Sequence, residues 1–425
     1  MSILLMIGLL FALMIIGVPV AAALALASLA FVATNGMPPM IVLANMVNGI
    51  NSFPLIAVPF FILAGNLMNT AGITTRIFNF ARATVGWMHG GLGHVNVGAS
   101  VIFAGMSGAA VADAGGLGNI EIKAMRDAGY DTDFAVGITA ASSTIGPIIP
   151  PSLPLVIYGV LADTSIGQLF TAGLLPGLMM ALSLMIMVAW YSRRRNYPRD
   201  IGFRFGRFAR SFVDAFLPLM TPAIIIGGIM GGLFTPTEAA IAAVAYSMFL
   251  GVAVYRTLDW RKILRVSMDT VQTTAAIMLI VAASTIFAWI LTANQVALHF
   301  SQGLLAVTEN KVALLLLITL IILIIGCFME TIAAITILTP VLLPVAVSLG
   351  IDPVHFGIIM ILNLMIGLLT PPVGMVLYVL SKVAAVPFER CVTATAPFLV
   401  PLVIVLLLLT FIPSISMWLP TMLYR

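Results

Sequence analysis

The sequence predicts an all-α polytopic membrane protein built from two inverted repeats, with two re-entrant helical hairpins and broken helices. Three observations predict it. Of 425 residues, 61% are hydrophobic and only 8% charged, against about 45–50% and about 25% in soluble domains, and the mean hydropathy is +1.17. Apolar runs near the roughly 20 residues needed for a helical span fill almost the whole chain. They are continuous rather than alternating, which argues against a β-barrel. The third observation is an internal repeat. This composition excludes a soluble enzyme, a nucleic-acid binder and a disordered scaffold. The net charge of +4 sits in short Arg clusters between apolar runs and implies no nucleic acid.

Taken in order, the apolar and amphipathic runs predict helices over 2–17, 19–34, 53–70, 73–89, 93–108, 110–126, 133–162 and 167–192. The N-terminus lacks a basic segment and a small-residue cleavage site, so 2–17 reads as a retained span. ITTRIFNFARATVGW (73–87) mixes Arg with Phe and Trp, as an interfacial arm does. A polar stretch from Arg193 to Arg210 follows. Then come 213–233, 236–256, an amphipathic 258–269, and 270–293. A surface stretch over 294–309 precedes the last group, 311–329, 331–348, 354–381 and 390–418. The segments 93–108, 110–126 and 331–348 are short for a crossing, and such paired short segments predict re-entrant hairpins.

Shifting the chain by 221 residues lays Gly105 on Gly326, Ala112 on Ala333, Gly129 on Gly350, Asp131 on Asp352, Pro150-Pro151 on Pro371-Pro372 and Pro176 on Pro397. Near the start of each half, GVPVAAALA (17–25) resembles FTPTEAAIA (234–242), with Pro19 over Pro236. Matched Gly, Asp and Pro-Pro are not explained by shared greasiness. The repeat divides the chain into 1–195, a basic connector over 196–212, and 213–425. With each hairpin entering and leaving on one side, almost every Lys and Arg shares one face; Lys311 and Arg425 fall on the other. The positive-inside rule makes the first face cytoplasmic. The halves then start on opposite sides, and both termini are extracytoplasmic.

Two proline-terminated helices are the first chemical candidates. In STIGPIIPPSLP (143–154), Pro150 and Pro151 cannot donate to the carbonyls of Gly146 and Pro147. Pro371 does the same to Gly367 in GLLTPPVG (367–374). Free carbonyls within a bilayer need a donor, a water or a cation, and unwound backbone is how ion-coupled carriers hold Na⁺. An ordinary kink satisfied by nearby hydroxyls is the alternative, weakened by the symmetric recurrence. The hairpin tips are the second candidates, with Ser107-Gly108 in one and Glu330-Thr331 in the other. Hard cations take oxygen ligands, so Ser107, Gly146, Ile149 and Pro151 form one expected Na⁺ site and Glu330, Gly367, Thr370 and Pro372 its counterpart. Ser107 also suits a helix cap, whereas an intramembrane carboxylate such as Glu330 is a functional candidate by default.

Ser142, Ser143, Thr144 and Asn363 lie near the breaks and are candidate substrate contacts, although hydroxyls within helices also bond their own backbone. Asp113 is a weaker candidate for the first site. Thr235-Pro236-Thr237-Glu238 reads as a capping box. GGIMGG (227–232) supplies small residues for close helix packing. Cys327 and Cys391 give no disulfide framework. The four histidines are scattered, and no zinc-hydrolase motif, nucleophile elbow or phosphate loop appears. No ATPase and no catalytic residue is therefore expected, and energy must come from an ion gradient or a separate subunit. A self-sufficient organic-anion carrier or channel is the main alternative, and a membrane-embedded enzyme lacks a clustered acid, base or metal set.

SGAAVAD (107–113), MRDAGYD (125–131), STIGPIIPPSLPLVIYG (143–159), GGLFTPTEAA (231–240), LGIDPVHFG (349–357) and GLLTPPVG (367–374) together resemble the large membrane subunit of tripartite ATP-independent periplasmic (TRAP) transporters. The resemblance covers essentially the whole chain. It implies an elevator-type secondary transporter with a scaffold domain (1–90 and 213–309). Its mobile transport domain would hold the hairpins and broken helices (about 93–165 and about 311–385). It implies Na⁺-driven uptake of an organic acid, such as a C4-dicarboxylate or sialic acid, across the bacterial inner membrane. The implied partners are a periplasmic substrate-binding protein and a separate small subunit of about four helices. The family's Na⁺ sites match the eight residues named above. Here the first tip has Ala109 where Ser is common, and the second has Glu330 where Asp is common.

Overall fold

The computed structural model describes residues 1–200, 202, 204–296, 298, 303 and 310–424, without the side chains of Met106, Ser107 and Lys311. It is all-helical among the described residues. The first half contains α1 (Ile3–Ile15), α2 (Val20–Thr34), α3 (Met40–Ile50), a 3₁₀ turn Phe53–Ile56 leading into α4 (Ala57–Thr70), and α5 (Ile73–Val85). It continues with α6 (Gly91–Ser107), α7 (Ala110–Asp127), α8 (Thr132–Ser143), α9 (Leu153–Leu161) and α10 (Ile166–Arg195). The second half contains α11 (Phe205–Met230), α12 (Pro236–Phe249) running into a π turn Leu250–Val254, and α13 (Trp260–Ala293). It closes with α14 (Lys311–Gly326), α15 (Thr331–Ser348), α16 (Pro353–Gly367), α17 (Met375–Ala384), α18 (Phe388–Phe411) and α19 (Ser414–Leu423).

Seven of the described helical segments are long and apolar enough to cross a membrane. Their outer faces stay greasy: Val213 is 71% exposed and Ile186 63%. A chain with so much exposed apolar surface belongs in lipid, and this is a multi-pass membrane protein.

Several expectations need correcting. Residues 40–50 form a helix where none was expected; Asn45, Asn48 and Gly49 dilute its apolar signal, and α3 gains its support by packing on α13. Gly49 lies so close to Thr285 of α13 that an added Cβ would meet its Oγ1 at 2.1 Å. The runs 258–269 and 270–293 are one uninterrupted helix, capped by Asp259 on the amide of Lys262. The runs 133–162 and 354–381 each split into two helices, and 390–418 breaks before Pro413. Thr331–Ser348 is long enough to count among the candidate spans. The surface stretch 294–309 falls largely outside the described residues, as does Arg425.

The connector is shorter and better anchored than its charge suggests. α10 runs to Arg195 and α11 begins at Phe205, so the link is 196–204. Within it, Asp200 is gripped by Arg82 of α5 through Nε at 2.5 Å and Nη2 at 2.6 Å. Tyr197 donates to Asp131 at 2.6 Å, and Tyr130 donates to the Pro198 carbonyl at 3.0 Å. Tyr197 also stacks on Tyr130, with ring centres 4.7 Å apart. The Tyr197 hydroxyl and the Arg195 guanidinium hold the Asp131 carboxyl below the usual carboxylate range.

The repeat offset recurs in the elements themselves. Adding 221 to α7 (110–127) gives 331–348, the bounds of α15. Gly129 and Gly350, also 221 apart, both end a helix at positive φ, where a side chain would strain the turn. The halves pack by exchange: α17 lies on α7 while α9 lies on α15. The hairpins and broken helices of both halves thereby form one interlocked block.

Candidate functional site: two broken helices facing one cavity

Each break arises from the same local conflict. α8 stops at Ser143 and α16 at Gly367 because the Pro-Pro pairs ahead remove the amides a continuing helix needs. Both Pro-Pro peptide bonds are cis. The chain restarts as α9 and α17. Ser152 caps α9 by accepting from the amide of Leu155 at 3.2 Å. Gly374, at φ 55°, turns the chain into α17.

Two carbonyls expected to lack a donor have one. The Ser152 hydroxyl donates to the Pro147 carbonyl at 2.5 Å, and the Thr370 amide donates to the Gly367 carbonyl at 2.9 Å. The unwound chain satisfies part of its own backbone. Each carbonyl oxygen carries a second lone pair, so cation coordination is not removed by these bonds.

Both hairpin tips dock on their breaks through backbone. Gly108 sits at φ 59°, and a Cβ there would meet the Pro151 carbonyl oxygen at 2.6 Å. In the second unit, a Cβ on Gly367 would meet the Gly326 carbonyl carbon at 2.6 Å. The Val373 amide donates to the Cys327 carbonyl at 3.2 Å. The fold therefore brings the 107–108 tip to Pro151 and the 326–330 tip to the 367–373 break. The Ser107 side chain lies outside the described residues. Ile149 is buried against Gly177 of α10.

The Glu330 carboxylate caps α15, accepting from the amides of Ile332 at 2.9 Å and Ala333 at 3.2 Å. Thr370 donates its hydroxyl to the Ile366 carbonyl at 2.8 Å. Asp113 gains weight: it is 1% exposed, and a Cβ on Gly146 would lie 2.7 Å from its Oδ2. The sequence placed Asp113 six residues past the tip but could not show that the break folds back onto it.

A cavity of about 470 Å³ lies between the two units. Ala110 and Val111, Leu153 and Pro154, Thr331 and Ile332, and Met375 all line it. These residues begin α7, α9, α15 and α17, so four helix N-termini converge on one space. Aligned peptide dipoles make the ends of α7, α9 and α17 favourable for an anion, while the α15 end is already occupied by the Glu330 carboxylate, which also lines the cavity. α13 closes the far wall with Thr273, Ala276, Ile277 and Ile280. Nothing in the sequence marked α13 for this role. The volume is within the range of small-ligand sites, about 300–1,000 Å³. Two other large cavities lie away from the breaks, one beside Arg76 and Arg207 and one beside Asp163 and Thr235.

The four candidate substrate contacts do not line this cavity. Ser143 and Thr144 donate to the backbone carbonyls of Ala140 and Ala141. Ser142 donates to Asn96 Oδ1 at 2.6 Å, and Asn363 donates to the Thr319 carbonyl at 2.7 Å. Asn96 continues the network to Glu121 and Thr139, at 2.7 Å each. Glu238 is the capping residue expected of it, returning its carboxylate to the Thr235 amide at 2.8 Å.

Comparison with known proteins agrees with this architecture. The family model described as "Tripartite ATP-independent periplasmic transporter, DctM component" matches residues 7–415. The chain is 50% identical to the sialic acid TRAP transporter large permease protein SiaM of Vibrio cholerae, over 97% of this chain and 96% of that one. It is 43% identical to the sialic acid TRAP transporter permease protein SiaT of Haemophilus influenzae, over 96% of this chain and 67% of that one. In fold it resembles the Alcanivorax borkumensis YdaH transporter, with a TM-score of 0.66, 15% sequence identity and 88% of each chain covered.

Proposed function

The chain belongs to the DctM component family of tripartite ATP-independent periplasmic transporters, whose members are transporters and not enzymes, and on that premise we propose that it is the Na⁺-coupled large permease subunit of an organic-acid importer in the bacterial inner membrane. The family implies a small membrane subunit and a substrate-binding protein as partners. Sialic acid is the substrate to test first, because two relatives that align with nearly the whole chain carry that name.

The observation that carries the reading is the cavity where four helix N-termini meet between two broken helices. A carboxylate bound there is stabilised by the convergent dipoles. Na⁺ held by tip and break backbone at Ser107, Gly146, Ile149 and Pro151 orders the first unit, and Na⁺ at Glu330, Gly367, Thr370 and Pro372 orders the second. Binding energy from the ions then assembles the anion site, which couples the two gradients. The exchange packing of α7 with α17 and α9 with α15 supports movement of this block as a unit. α13, with α2, α3, α4 and α12, would be the fixed scaffold. The basic face is cytoplasmic and both termini are extracytoplasmic.

The test is radiolabelled sialic acid uptake into proteoliposomes holding this chain and its small subunit. It is run with and without an inward Na⁺ gradient and the cognate binding protein. Uptake is expected only with both; uptake indifferent to the binding protein would instead establish a self-sufficient carrier.

A further inference from the structure

Glu121 lies outside both proposed ion sites and outside the cavity, yet it is only 2% exposed. One carboxylate oxygen accepts from Asn96 Nδ2 at 2.7 Å; the other, Oε1, has no hydrogen-bond partner among the described residues. Asn96 gives its second N–H to Thr139 at 2.7 Å and accepts from Ser142 at 2.6 Å. All four residues are buried on α6, α7 and α8.

The fold does not require this network. Adding 221 places Leu317, Leu342 and Met360 where the first repeat has Asn96, Glu121 and Thr139. The second repeat packs the corresponding three helices with those three positions apolar and keeps one polar contact, from Asn363, the mate of Ser142, to the Thr319 carbonyl. A buried carboxylate with one unpartnered oxygen is costly in a bilayer unless a cation neutralises it. A Na⁺ ion needs a cage of several oxygens, and the amide protons of Asn96 already occupy this one. A proton needs only Oε1.

We propose that Glu121 is a proton-binding site of the transport cycle, exchanging with the cytoplasmic side and coupled to the first ion site through Asp113. Glu121 is six residues from the end of α7 at Asp127, about 9 Å at 1.5 Å per residue, and that end carries Lys123 and Arg126. Asp113 lies two turns the other way; its charge acts on Glu121, and its carboxylate abuts Gly146. A cation held beside Asp113 therefore disfavours the proton on Glu121, and its departure favours it. The other charged or titratable groups on the packed helices are His94 on α6, Asp133 on α8, and Tyr378 and Lys382 on α17. Asp133 is held by Arg390 at 2.5 Å. Arg126 donates to the Ala384 carbonyl at 2.6 Å.

The proposal rests on the transporter reading above, and its test separates the two. Na⁺-driven sialic acid uptake is measured with the complete complex at several lumenal pH values and a fixed external pH. Binding protein added outside selects one orientation. The expected result is a change in rate of about fivefold, the low end of coupling between two sites, between lumenal pH 6 and 8. Glu121→Gln, which keeps the shape but holds no exchangeable proton, is expected to flatten the profile. A flat wild-type profile with intact Na⁺-driven uptake, or an identical profile in the variant, overturns the proton site alone. No uptake under any condition overturns both readings. Should the variant fail to fold, infrared difference spectra of the unaltered complex with and without Na⁺ decide it. A change in the protonated-carboxyl C=O band is expected, and its absence overturns the proposal.

Discussion

The two hairpin-and-break units have the same backbone and different side chains. Both stop a helix at a Pro-Pro pair, both seat a tip against the unwound chain through glycine, and both turn helix N-termini to one cavity. The first unit has a tip without a side-chain cap at Ala109, a break buried throughout, and a polar network behind it. The second has the Glu330 carboxylate at its tip, Pro371 and Pro372 exposed, and a largely apolar interior that buries Thr336, Thr339 and Asn363. The shared work is therefore done by main chain, which repeats faithfully. Adjustment is left to side chains, which do not.

That contrast is open to attack at several depths. The largest effect is expected at the shared backbone. Gly367→Ala puts a Cβ 2.6 Å from the Gly326 carbonyl carbon, where neither side can yield. Overpacking of this kind costs about 1–3 kcal/mol or more, and uptake per folded molecule should fall by about 100-fold, since misplacing a positioned group by about 1 Å has that scale. Gly108→Ala should behave alike, adding about 1–2 kcal/mol for left-handed backbone. Wild-type uptake in either variant would mean the tips do not need their seats.

Next comes the asymmetric tip. Glu330→Ala removes both the cap of α15 and the proposed ligand. The Na⁺ concentration for half-maximal uptake should rise about tenfold, equivalent to 1.4 kcal/mol, while Glu330→Asp should recover most of it. An unchanged Na⁺ curve would leave Glu330 as a cap only. A smaller effect is expected at the buried polar positions. Ser142→Ala and Asn363→Ala each delete one hydrogen bond, worth about 1 kcal/mol, and should lower the melting temperature by a few degrees, about 2–4 °C per kcal/mol. Because neither lines the cavity, KM for substrate should move less than about twofold, about 0.4 kcal/mol. A large KM shift would put them in the substrate's path.

The smallest effect concerns the connector. Asp131 is held low by Tyr197 and Arg195, so its contribution to stability is complete above the ordinary carboxylate range. It is lost only as pH falls through the depressed value. Asp131→Asn should therefore lower thermal stability slightly and evenly across pH 6–8, by less than about 1 kcal/mol for so exposed a pair, and the difference should vanish on acidification; a difference that grows as pH falls would contradict that sign. Asp131 then cannot supply the pH response assigned to Glu121.

Legibility in the sequence followed the same division. Pro150-Pro151, Pro371-Pro372 and the 221-residue offset exposed the breaks and the repeat, because proline and glycine constrain backbone directly. Gly108 marked one tip for the same reason, and Glu330 marked the other as a carboxylate within an apolar run. The α13 wall stayed hidden, since Thr273, Ala276 and Ile277 look like any apolar stripe until another domain packs on them. Asn96, Glu121 and Thr139 were invisible as a set; they come from three helices, and only tertiary structure brings them within hydrogen-bonding reach. Helix α3 was lost to its own Asn and Gly content.

The central claim is that two symmetric units each hold one coupling ion around a single anion cavity. Uptake rate measured against Na⁺ concentration at saturating substrate tests it most directly, in wild type and in Glu330→Ala. A cooperative curve that loses its cooperativity in the variant is the predicted result. A curve already non-cooperative in wild type, or equally cooperative in both, would contradict the two-site account.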